Sequence, residues 1–225
     1  MKRGLLQPLL LLLTFIVFAC KDDDAYQYPP VKLEFLTAES ASDGRLQMLI
    51  TDRGERLPVV EDLTNTRIKA DTLTRFISNY ELLSRAEGAR IYALSSVLSV
   101  KPLPPSAPNF AHGIKTDPLD VQSVWLGQDY LNAVLLVKGQ SFKHYYHFVE
   151  ESATTDAPTG RKTVKLLLYH DANGDLPAYT RRAYISIPLR QYAVAEIENV
   201  RVQFRLYRNA GEVKTFSFDY LPAKN

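Results

Sequence analysis

The run His170-Asp171-Ala172-Asn173-Gly174-Asp175 sets three oxygen-bearing side chains at alternate positions, the spacing with which a calcium loop begins. Such a loop needs a glycine at its sixth position and a chelating glutamate at its twelfth, and Leu176 and Arg182 stand there instead. The reading this leaves is a hairpin connection in which Asn173-Gly174 supplies the turn and the aspartates solvate it. His144 and His147 lie three apart in a strand-like stretch, which turns them to opposite faces and away from a common ion. His170 is distant in sequence and His112 sits among prolines, so no metal and no cofactor is expected.

Other chemistry fares no better. The chain has one cysteine, Cys20, so it can form no intramolecular disulfide and no thiolate zinc site. The G-x-S-x-G elbow, the P-loop and the G-x-G-x-x-G fingerprint are all missing. The acidic pairs Glu61-Asp62 and Glu150-Glu151 are adjacent along the chain, where acid–base work needs two carboxylates opposed across a cleft. A non-enzymatic protein is expected. The remaining signal is aromatic: Trp125, Tyr130, Tyr145, Tyr146 and Tyr169 fall on three neighbouring segments. Most should pack inside, while Trp125, Tyr130 and Tyr146 are the candidates for an outward stacking surface that meets a sugar or a protein.

Cys20 has another use. Met1-Lys2-Arg3 followed by the apolar run Leu9 to Ala19 has the layout of a secretion signal, residues 1–19. The run is short for a membrane-crossing helix, which needs about 20 apolar residues. Val17-Phe18-Ala19-Cys20 resembles the lipobox of bacterial lipoproteins. That resemblance implies a mature chain beginning at Cys20, its thiol linked to diacylglycerol and its amino group acylated, held on a membrane by several acyl chains. Lys21, Asp22, Asp23 and Asp24 read either as a solvated spacer or as an address, since they resemble the acidic signal that sends Bacteroidetes lipoproteins to the outer face of the outer membrane. Removal of Lys2 and Arg3 from the 27 basic residues leaves 25 against 25 acids, a balance that argues against a nucleic-acid partner.

The elements that must carry these residues look like strands. With 13 Tyr, 10 Phe and 13 Pro the composition leans to sheet. Residues 20–31 read as an acidic, extended tether, since charge and Pro29-Pro30 oppose helix. From 32 to 103, "VKLEFLT", "GRLQMLIT", "TLTRFISNYELL" and "ARIYALSSVLSV" give about five strands in roughly 70 residues, the size of a small OB-like barrel. Leu46, Met48 and Ile50 are expected on one face, with a turn at Gly54. The proline-rich stretch 104–116 reads as an extended linker. From 117 to 225, six or more strands separated by turn residues predict an antiparallel β-sandwich, and Val200, Val202, Phe204 and Leu206 alternate with polar residues as an amphipathic strand must. "PLRQYAVAEIE" is expected to hold a short helical turn.

From Val121 onward "VQSVWLGQDYLNAVLLVKG", "KHYYHFV" and "LLLYHDANGD" occur in order, and together they resemble the NigD-like lipoproteins of Bacteroidetes. The resemblance implies a barrel followed by a sandwich, attachment to the outer membrane, and a link to bacteriocin immunity or secretion. It transfers no catalytic residue. The function expected is that of an outer-membrane lipoprotein that binds a macromolecule at the cell surface, with a glycan- or small-ligand-binding accessory protein as the alternative.

Overall fold

The computed structural model describes residues 30–84, 87–193, 199–208 and 211–222; the signal segment, Cys20 and the acidic run Lys21 to Asp24 lie outside them. From Val31 onward the chain forms one compact unit. It is all-β, a closed barrel followed by a sandwich, as expected.

Five strands close the barrel: β1 (Lys32–Ser40), β2 (Leu46–Thr51), β3 (Arg56–Asp62), β4 (Leu73–Ser84) and β5 (Gly88–Ser96), in the order β1-β2-β3-β5-β4. The β3–β5 pair is parallel and the others are antiparallel. Leu36, Leu49, Phe76, Tyr80 and Ile91 fill the interior. One expectation fails here. Glu39 pairs with Met48 but Ser40 pairs with Leu46, so Gln47 is an extra residue, and this bulge reverses the inward parity of β2. Leu46 and Leu49 therefore share the core, while Met48 and Ile50 are only half-buried.

The sandwich is built from β6 (Asp120–Gly127), β7 (Tyr130–Gly139), β8 (Tyr145–Thr155), β9 (Lys162–Asp171), β10 (Tyr179–Pro188), β11 (Val200–Tyr207) and β12 (Val213–Tyr220). One sheet has the order β10-β7-β6, the other β12-β11-β9-β8. Val200, Val202, Phe204 and Leu206 are fully buried between the sheets, the alternation foretold for that strand. The second sheet is not purely antiparallel, because β11 runs parallel to β9. The cause lies in the turn at Asn173-Gly174, where both residues adopt left-handed φ, 54° and 70°. That turn is not a hairpin. It carries the chain into β10 of the opposite sheet, so β11 returns in the direction of β9. A 3-10 turn at Arg190–Tyr192 marks the short helical segment expected there.

The proline-rich stretch is no free linker. Leu103 donates its N–H to Phe148 and accepts from Glu150 at 2.9 and 2.8 Å. Phe110, in a 3-10 turn, is buried against Val149 and Leu167. The outer face of the four-stranded sheet carries apolar side chains of its own, and this segment removes them from water. Leu98 then ties barrel to sandwich through backbone bonds with Tyr184 and Ser186 at 3.1 and 2.9 Å.

Candidate functional site

Between barrel and sandwich lies an open cleft of about 640 Å³. The barrel wall comes from the first residues of β1 and from the β2–β3 turn, the sheet wall from β6, β7 and β10. Residues Tyr184, Val134 and Arg182 alternate with the core residues Ile185, Ala133 and Ala183, so strand periodicity itself turns them outward to the barrel. Phe35 from β1 meets this face edge-on, 5.1 Å from Trp125 and 5.9 Å from Tyr184 between ring centroids. With Ile77 and Val97 these rings form a small apolar cluster of their own. Leu33, exposed by 62%, stands at the rim.

Below the cleft the two halves are joined by a buried polar knot centred on Arg75 of β4. Its guanidinium pairs with Asp52 and donates to Ser186 Oγ (2.9 Å), Asn132 Oδ1 (3.1 Å) and Thr37 Oγ1 (3.3 Å). The Tyr130 ring covers it at 4.3 Å. Asp52 accepts in turn from Asn132 Nδ2 (2.8 Å) and Trp125 Nε1 (3.3 Å). A buried cation survives only when its donors find acceptors, and Arg75 has four. The knot also dictates a glycine: a Cβ on Gly127 would lie 2.2 Å from the Asp52 carboxyl carbon.

A second network sits at one end of the sandwich. His170 donates from Nδ1 to the Asp117 carbonyl (2.7 Å), which leaves Nε2 to accept from His144 Nδ1 (2.9 Å). His144 Nε2 lies 3.3 Å from Asp175 Oδ2. Burial lowers the pKa of His170, and the neighbouring His144 adds to the effect. Burial alone would raise that of Asp175, but backbone N–H groups of Ser141, Phe142 and Gln140, together with His144, outweigh it and hold the carboxyl well below its usual range. Asp175 is thus a clamp on the β7–β8 loop. Asp171 accepts from the Asn173 N–H at 2.8 Å, an Asx turn.

The three aromatic candidates do not form one surface. Trp125 lines the cleft with its N–H tied to Asp52. Tyr130 covers Arg75 in the knot. Tyr146 stacks on His170 at 4.9 Å with planes 4° apart, packs on the sandwich core, and is pushed up to about 12 by burial. His147 faces the other way, edge-on to Phe110. Sequence reasoning missed Arg75, Asp52 and the cleft arginines Arg53 and Arg182. A usable signal existed for the first: a charge inside "TRFISNY", flanked by apolar residues of both parities, must find a partner.

A family model described as the NigD-like C-terminal beta sandwich domain matches residues 101–220, which takes in the proline-rich stretch. Among solved structures, a NigD-like immunity protein from Bacteroides caccae is 40% identical, with 88% of this chain and 100% of that one covered at a TM-score of 0.71. A candidate toxin-related protein from Parabacteroides distasonis (17% identity, 85% and 93% covered, TM-score 0.70) shares the fold. So does a candidate lipoprotein from Bacteroides fragilis (9% identity, 86% and 100% covered, TM-score 0.60). Among curated proteins none matches the chain. With a family model spanning more than half of its residues and a solved relative at 40% identity over most of its length, this chain belongs to the NigD-like family.

Proposed function

We propose that this protein is a lipid-anchored, non-enzymatic binding module of the cell envelope, attached through Cys20, displayed by the Lys21 to Asp24 signal, and engaging a macromolecular partner at the cleft between barrel and sandwich. The observation that carries the reading is the cleft itself. Its walls are held by a buried ion pair and by shared backbone bonds, so the concavity exists before any ligand arrives, and a preformed site loses little affinity to ordering. The exposed aliphatic rim at Leu33 suits a protein surface. The 40%-identical relative bears the words immunity protein, which supports a protein-binding role linked to immunity.

A second reading rests on a specific feature. Trp125 and Tyr184 share one concave wall with Arg182 and Gln122, the combination of rings and polar groups that a glycan site requires.

The two are tested together by a photo-crosslinking amino acid placed at Leu33 or, as control, at Lys165 on the exposed face of β9. Adducts from position 33 alone, lost on competition with unlabelled protein, are expected on intact cells. Equal labelling from both positions, or none from position 33, would remove the cleft from consideration. Adducts that disappear after glycosidase treatment would move the assignment to the glycan.

A further inference from the structure

The hydrogen-bonding inventory of the cleft is lopsided. Its acids are engaged: Asp52 pairs with Arg75, Glu34 accepts the Tyr80 hydroxyl at 2.9 Å, and Glu55 has a contact of its own. Its arginines are not. Arg182 uses only Nε, donating to Gln122 at 3.0 Å, and among the described residues neither Arg182 nor Arg53 has an acidic partner. A guanidinium offers five N–H donors in a planar fork that matches a carboxylate. Two such forks, one on the β2–β3 turn and one on β10, stand on opposite walls above the aromatic floor of Phe35, Trp125 and Tyr184.

We infer that the cleft binds an acidic polypeptide segment, with carboxylates bridged by Arg53 and Arg182 and an apolar side chain lowered between Leu33 and Trp125. The inference rests on the cleft being the binding site, and it adds the chemistry of the partner. Donor surplus is the reason for an anion. A peptide fits better than an acidic sugar because the rim is aliphatic: Leu33 is exposed by 62%, and such surface gains from burying aliphatic side chains, not hydroxyls.

Trp125 is the only tryptophan of the chain, so its emission reports the occupancy of this cleft directly. The full chain, purified in detergent, is applied to an array of blocked octapeptides whose net charge and apolar content are varied independently. Retained peptides are then titrated in solution against Trp125 emission at two salt concentrations. Retention confined to acidic peptides carrying an apolar residue is expected, with a saturable change in emission that weakens as salt rises. Arg53→Gln and Arg182→Gln should each weaken binding about tenfold, whereas Lys165→Glu on the far sheet should not change it. Thermal unfolding of each variant separates lost contact from lost fold. Retention without charge preference, retention of basic peptides, no retention at all, or no effect of the arginine variants would each overturn the inference. So would an emission change produced by an oligogalacturonate and by no peptide. Specific adducts from position 33 alongside any of these results would leave the cleft standing as a site and remove only its acidic ligand.

Discussion

Arg75 ties the barrel to the sandwich: it is buried at 5% exposure, its ion-pair partner sits on the β2–β3 turn, and Asn132 and Ser186 accept from it out of the sandwich. Arg75→Met leaves the Asp52 carboxylate without its counter-ion, held only by Asn132 and Trp125, so a loss of about 3–5 kcal/mol is expected in urea unfolding. A change under about 1 kcal/mol would mean that water enters the knot. The His170 and Asp175 network adds a pH dependence. His170 has a lowered pKa when folded, so the unfolded chain takes up its proton first as pH falls through about 6.5, and stability is lost on the acid side of that value. Asp175, also lowered, protects the fold above about pH 4 and stops doing so as pH drops below it. The unfolding temperature should therefore fall between pH 7 and 5, and His170→Gln should flatten that slope; an unchanged slope would mean that the imidazole is solvated. None of these side chains could be joined from sequence, since Arg75 and Ser186 lie 111 residues apart and His144 and His170 lie 26 apart.

At the scale of elements, much was legible and the exceptions share a cause. Strand β11 announced itself because Val200 to Leu206 keep strict alternation with one wet side. Strand β2 was legible as a strand but its inward face was not, because a single bulged residue, Gln47, shifts the inward set, and a bulge has no signature in residue types alone. The Asn-Gly turn was legible as a turn but not as a passage between sheets, since local turn chemistry does not say which strand comes next to which. The stretch around Leu103 and Phe110 was misjudged for a related reason. Proline bars it from a central strand, but nothing bars it from lying across one. Phe110→Ala is expected to cost about 3 kcal/mol and to open residues 101–119 to protease, as it empties the cluster with Val149 and Leu167. Resistance equal to that of the parent would show that the segment is held by its backbone bonds alone.

For the whole molecule, the central expectation is positional. Cys20→Ser should release the protein from the membrane fraction or leave an uncleaved precursor, and unchanged membrane fractionation would refute the lipid anchor. Protease shaving of intact cells should consume the wild type and spare a variant with Asp22, Asp23 and Asp24 replaced by alanine; protection of both would place the domains in the periplasm and reduce the acidic run to a spacer.

The knot around Arg75 also sets an order of assembly. The barrel strands are close neighbours along the chain, and pairings of short range form fast. Asn132 and Ser186, however, emerge from the ribosome 57 and 111 residues after Arg75. Until they arrive, the newborn barrel shows a guanidinium and an apolar wall of Phe35, Ile77 and Val97 that belong against the sandwich. The barrel, Lys32 to Ser96, is thus synthesised as half of an interface and must wait for the other half. In refolding, far-UV ellipticity should recover before Trp125 emission, because the ring reaches Phe35 only when the two halves dock. Recovery of both signals in a single phase would mean that neither half exists without the other.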